Sequence, residues 1–224
     1  MREESRHPLD LAFGCSLALI SAIDFYTARS LSLVAHVEPH LVKVVQTLEV
    51  GVSIVCALGV VTVIATWPLL GRPTHRRLMF AVLALQTVGL TLDITGLLAS
   101  TLFGKRANPI YLLLEAALVH VATVLLFAAW YAAIDHHRQV ARARGEATRP
   151  RVGFPQHSGS YPGYEAWVPG FVDYMTFAFT TSSSLGPAEA YPLAKPAKLL
   201  VTLQVSLSLV ILLVLAARAI GLIA

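Results

Sequence analysis

Five long, uninterrupted apolar runs constrain this chain more than any other feature. A helix needs about 20 consecutive apolar residues to cross the hydrocarbon core of a bilayer. Runs of that order lie at roughly 9–28, 41–67, 78–103, 110–133 and 199–222. They are continuous rather than alternating, which predicts helices and not the strands of a membrane barrel. Composition agrees. Apolar residues make up 56% of the 224 and charged residues only 13%, against about 25% charged in an ordinary soluble domain. So few charges cannot cover a surface that faces water. The predicted fold is an all-α integral membrane helix bundle with about five transmembrane helices and one short re-entrant or interfacial helix.

Three regions follow: a four-helix transmembrane region at 1–137, a polar loop at 138–169, and a C-terminal module at 170–224. Arg2 and Arg6 precede the first apolar run as in a signal sequence, but no clear small-x-small cleavage site follows, so the run reads as an uncleaved first span. Cys15 and Cys56 fall inside spans and read as apolar thiols rather than a disulfide framework. The basic residues set the expected orientation. With the N-terminus in the cytoplasm, Arg2, Arg6, Arg72, Arg76, Arg77, the five arginines from 138 to 151, Lys195 and Lys198 share one side, twelve against the four at Arg29, Lys43, Lys105 and Arg106. The positive-inside rule then places the N-terminus inside and the C-terminus outside.

The polar loop begins HHRQVARARGEATRPR, a basic stretch suited to extending the fourth helix toward anionic headgroups. It continues GFPQHSGSYPGYEAWVPG, which reads as an aqueous loop with Tyr161, Tyr164 and Trp167 at headgroup level, and in which Gly153→Val is expected to disrupt the protein less than Gly186→Val. Asp135, His136 and His137 are adjacent, and consecutive helical residues point in different directions, so no metal site is expected there.

The C-terminal module runs FVDYMTFAFTTSSSLGPAEAYPLAKPAKLL before the last span. The stretch 171–179 is apolar but too short to cross. It passes into Thr180, Thr181, Ser182, Ser183 and Ser184, closed by Gly186 and Pro187. A short helix, a hydroxyl-rich turn and a full helix form the layout of a pore loop, whose non-helical backbone must be buried in protein or line a watery cavity. An interfacial helix leading into the last span fits the same pattern.

This module resembles that of an uncharacterised, mainly actinobacterial family of small multi-pass membrane proteins, approximately DYLYxxFTNATAFSPTDTxPLxxxAK. Asp173, Tyr174, Phe179, Thr180, Pro187, Pro192, Leu193, Ala197, Lys198, Gln204, Arg218 and Ala219 stand at matching places. Trp130-Tyr131 with Asp135, and Phe154-Pro155-Gln156, match further pieces. The resemblance covers about the last hundred residues and departs at TSSSLGPAEA, which lacks the family's Asn and Asp. It implies topology and a bacterial plasma membrane rather than a mechanism. The module is also similar to the pore of potassium channels, but TVGYG is absent and the expected orientation puts the loop on the wrong side.

Asp24, Glu49, Asp93, Glu115 and Arg218 lie in or near the spans. Ionisable groups there cost about 2.5 kcal/mol or more at the bilayer centre and so face the bundle interior and find partners. They read either as a proton or cation site, or as a polar clasp around Arg218 or groups that simply reach the headgroups. His120, off the face of Glu115, reads as a core histidine. No HExxH, GxSxG or usable carboxylate pair appears, so no catalytic residue is expected. The functional expectation is a channel-like or transporter-like route for an ion or small solute. The alternative is a non-transporting scaffold that binds lipid or protein through the basic loop. The expected partners are the bilayer, an ion or small solute and further copies of the chain, with no nucleic acid, cofactor or metal.

Overall fold

The computed structural model describes residues 7–34, 39–66, 72–103, 109–159, 162–184 and 190–223. Among these are six α-helices: α1 (His7–Val34), α2 (Pro39–Thr66), α3 (Arg72–Phe103), α4 (Pro109–Ala143), α5 (Phe171–Ser183) and α6 (Lys195–Ile223). A 3-10 turn at Pro155–Ser158 and two short strands, β1 (Val152–Gly153) and β2 (Tyr191–Pro192), complete the order. The strands pair antiparallel, Val152 opposite Pro192 and Gly153 opposite Tyr191.

Local chemistry explains where the helices begin and end. Pro39 and Pro109 open α2 and α4, and Pro73 and Pro196 stand second in α3 and α6. The first turn of a helix has no use for the N–H that proline lacks. At the far end of α4, Gly145 takes φ 82°. Its N–H donates to the Arg142 carbonyl at 2.9 Å, and that of Glu146 to the Ala141 carbonyl at 3.1 Å. This Schellman arrangement satisfies carbonyls left open by the helix end and favours glycine. As the sequence suggests, α4 carries the basic residues beyond its apolar run. Both α3 and α6 also start earlier than their apolar runs, because the basic residues ahead of each run are helical.

The chain is an all-α membrane protein. Four helices contain stretches long and apolar enough to cross a bilayer, at Thr47–Thr66, Thr74–Leu98, Leu113–Ala143 and Lys195–Ala217. In α1 the described apolar stretch is shorter, Ala12–Ala28, within a helix of 28 residues. Only 22% of the α6 span is buried inside the chain, and Leu199, Leu203, Leu209 and Leu213 stand exposed along it. A helix apolar all round and this open needs lipid around it.

Two compact units make up the chain. One comprises Met1–Phe13 with Phe127–Leu209, and the other Gly14–Leu126 with Val210–Ala224. In the first, the 144–170 region is folded rather than a plain aqueous loop. Phe154 packs edge-on against Trp167 and Tyr174, with ring centroids 5.7 and 5.5 Å apart. His157 stacks on Trp167 at 5.3 Å. Trp167 is thus held by neighbours, Tyr164 is exposed, and Tyr161 lies outside the described residues. Gly153 is not in open space: a Cβ there would come within 3.1 Å of Leu193 Cδ1, in the residue that follows β2. In the second unit, a Cβ at Gly59 would meet Val82 Cγ2 at 3.0 Å, so α2 and α3 approach closely where the side chain is missing.

Candidate functional site

In the second unit, α1, α2, α3 and α4 each contribute one buried carboxyl group. Asp24 is 1% exposed, Glu49 and Asp93 5%, and Glu115 4%. The spacing on each helix explains how they turn inward. Leu17, Ser21 and Asp24 share a face of α1, and Gln86, Gly89 and Asp93 share a face of α3, since positions three, four and seven apart lie together. The Gln86 amide donates to the Leu17 carbonyl and to Ser21 Oγ, both at 3.2 Å. That pair of bonds fastens α3 to α1 about two turns from Asp93. Gly89 lets Asp24 lie close: a Cβ there would sit 3.6 Å from Asp24 Oδ2 and 3.9 Å from Cys56 Sγ.

The carboxyls of Asp24 and Asp93 lie within hydrogen-bonding reach of each other. Two carboxylates cannot bond directly, so this contact needs a proton between them. No other donor reaches either oxygen of Asp24 among the described residues. Glu49 is near enough to act electrostatically on Asp93, and Glu115 on Glu49. The four therefore form a series, Asp24–Asp93–Glu49–Glu115, handed from helix to helix. Among the described residues no group of three or more His, Cys, Asp or Glu side chains is placed to hold a metal ion. The backbone of Arg218 belongs to α6, but its side chain lies outside the described residues, so the clasp expected around it does too. His120 is half-buried, and its Nδ1 has no hydrogen-bond partner among the described residues.

The first unit holds a second polar arrangement, built from α4, α5 and α6. Tyr131 donates to Gln204 Oε1 at 2.7 Å, and Gln204 Nε2 donates to the Ala178 carbonyl and to Ser182 Oγ, both at 2.7 Å. Ser208 Oγ donates to Ser182 Oγ at 3.0 Å. At the end of α4, Asp135 is fully buried. It accepts from Gln139 Nε2 at 2.8 Å, from the Tyr174 hydroxyl at 3.1 Å and from the backbone N–H groups of Arg151 and Val152. Burial and the adjacent Asp135 carboxylate push the Tyr174 phenol up, so it remains a donor. This seam joins Tyr131 and Asp135 to Gln204 and Tyr174, which lie far from them in the sequence. Gln139, four residues after Asp135 on the same face, had no signal of its own in the sequence beyond that spacing.

The hydroxyl run is divided among structural tasks. Thr180 bonds back to the carbonyls of Thr176 and Phe177, at 3.0 and 3.1 Å. Ser182 is committed to Gln204 and Ser208. Thr181 is buried with no partner for its hydroxyl among the described residues. Ser183 and Ser184 are exposed, and Gly186 lies outside the described residues. At its start, α5 is capped by Asp173, which accepts from the Gly170 N–H at 2.7 Å.

Comparison with protein-family models, with curated proteins and with solved structures gives no match for this chain.

Proposed function

We propose that this membrane protein passes protons across the bilayer, or couples proton movement to that of a small solute, through Asp24, Asp93, Glu49 and Glu115. The observation that carries the reading is the burial of four carboxyl groups, one from each of four helices, in a single series. Ionised carboxylates are costly to bury in a medium of low dielectric, so burying these groups favours their taking up protons or a cation. The contact between Asp24 and Asp93, which needs a proton between the two carboxyls, favours protons, and proton relays are a recurrent use of intramembrane acids. On this reading the hydroxyls of α5 serve packing, and the route lies in the four-helix unit rather than at the 180–186 turn.

The reading places the protein in a bacterial plasma membrane with its N-terminus in the cytoplasm, in keeping with the basic residues of the 138–151 stretch and the resemblance to the actinobacterial family. Ala147→Cys in a background lacking Cys15 tests that orientation. The residue is exposed, and its labelling by an impermeant thiol reagent in intact cells would reverse the topology.

Flux is tested in proteoliposomes holding a pH-sensitive dye, with a potassium diffusion potential as driving force. The wild-type protein should acidify or alkalinise the lumen faster than empty vesicles do, and Asp93→Asn and Asp24→Asn should each abolish most of the difference. Wild-type rates equal to empty vesicles, or unchanged rates in both variants, would overturn the proposal and favour the scaffold reading.

A further inference from the structure

Outside the carboxylate series, the first unit holds a groove of about 510 Å³ lined by Arg138, Arg149, Arg151, Leu193, Ala194 and Pro196. Arginines line one apolar-walled groove, and guanidinium is the side chain best shaped for phosphate oxygens. The walls are held by backbone contacts. The N–H groups of Leu193 and Ala194 donate to the Arg151 carbonyl at 2.8 and 3.3 Å. Arg138 Nη1 reaches the Arg149 carbonyl at 3.4 Å, and Thr148 Oγ1 donates to the Arg138 carbonyl at 3.1 Å. Arg138 Nε has no partner among the described residues. The nearby carboxylate, Asp135, lies behind the groove and is occupied by Gln139, Tyr174 and two backbone N–H groups.

The position of the groove identifies the source of the anion. Arg138 lies in the last turns of the α4 span, and Lys195 is the first residue of the α6 span. The groove is therefore at the depth where two spans meet the headgroups of one leaflet. Leu193 and Leu199 are exposed beside it, 54% and 72%, so the apolar wall continues into the lipid-facing surface of α6. Lys195 and Lys198 are exposed at the same end. A ligand with a phosphate at one end and an acyl chain at the other matches this run from three arginines to exposed leucines. We propose that the groove binds the headgroup of an anionic phospholipid, with its phosphodiester between Arg138 and Arg149 and its chains along Leu193 and α6.

Native mass spectrometry of the detergent-purified full chain, titrated with phosphatidylglycerol or phosphatidylcholine, tests the assignment. The wild-type protein should retain one phosphatidylglycerol in preference to phosphatidylcholine. Near a membrane surface each basic residue contributes on the order of 1 kcal/mol, so Arg138→Gln with Arg149→Gln should weaken that lipid roughly 30-fold. Arg149→Gln alone, at an exposed position, keeps the test valid should the double variant unfold. Arg149→Lys should restore part of the loss, and Arg77→Gln on α3 should change nothing. Equal retention of the two lipids by the wild type, or equal phosphatidylglycerol retention by wild type and Arg149→Gln, would overturn the proposal. So would inorganic phosphate alone displacing the lipid at comparable concentration, which would make the groove a free-phosphate site.

Discussion

Asp135 shows how much one side chain organises here. Two of its four bonds go to side chains and two to the backbone that turns into β1, so a residue near the end of a membrane span shapes the polar loop beyond it. Asp135→Asn would turn an amide N–H₂ toward groups that donate, leaving at least one buried donor without an acceptor, at about 1–3 kcal/mol. A melt in detergent should show a clear fall in Tm, and an unchanged Tm would mean the loop is held by its aromatic contacts instead. His157 offers a pH test at the same scale. Burial, and then the nearby Arg142 guanidinium, hold its imidazole below the usual value of 6.5. The unfolded chain then binds a proton more readily than the folded one, so stability falls as pH drops through about 6.5 toward the lower folded value. Melts from pH 7.5 to pH 5.5, as roughly chosen limits spanning that titration, should show a decline that His157→Phe reduces. An equal slope in both proteins would assign the decline to other groups.

Among the helices, α5 is fixed less by its own length than by what it presents to α4 and α6. Its 13 residues bury Phe171, Tyr174, Phe177, Ala178, Thr181 and Ser182 along one side, while Val172 and Phe179 are exposed. Gln204 from α6 bonds to that buried side, and the Tyr131 ring lies 4.7 Å from that of Phe177. Gln204→Leu would leave the Tyr131 hydroxyl without its acceptor, again at about 1–3 kcal/mol. Single-cysteine labelling at Ser182, slow in the wild-type background, should quicken in that variant, whereas unaltered protection would show that apolar packing alone holds α5. The α2–α3 contact gives an independent test. Gly59→Val should destabilise through its clash with Val82, Val82→Ala should recover part of the loss in the double variant, and Gly51→Val, with nothing within 4 Å of its Cβ, should be tolerated. Equal melting of the two glycine variants would contradict the close approach.

For the molecule as a whole, the exposed apolar residues decide the solvent. Leu48, Leu58 and Val61 on α2 and Leu199 and Leu213 on α6 are each more than 60% exposed, an apolar surface that water would not tolerate. The chain should therefore remain with membranes after alkaline carbonate extraction and enter solution only with detergent. Release by carbonate alone would show that its helices lie on the bilayer rather than across it. Within that apolar exterior, the polar side chains are drawn into two places, the carboxylate series and the α4–α5–α6 seam. They differ in chemistry: the seam pairs most of its donors with acceptors, whereas the series is made of carboxyl groups.

Hydropathy alone determined that the chain is helical and lies in a membrane, because the bilayer sets both the length and the polarity of a crossing segment. Prolines and Gly145 marked helix ends for equally local reasons. Asp24, Glu49, Asp93 and Glu115 were visible as anomalies, since a carboxyl group in an apolar run stands out without any knowledge of its neighbours. Their order as Asp24–Asp93–Glu49–Glu115 came only with tertiary structure, because helical periodicity states which residues share a face but not which face meets which helix. The same is true of Gly153, which reads as loop until β2 closes on it, and of Ser182, whose hydroxyl suits a passing solute until Gln204 and Ser208 claim it. The arginine groove was the least legible. Arg138, Arg149 and Arg151 lie in one basic stretch, but Leu193, Ala194 and Pro196 follow about forty residues later, and only the pairing of β1 with β2 brings the two together.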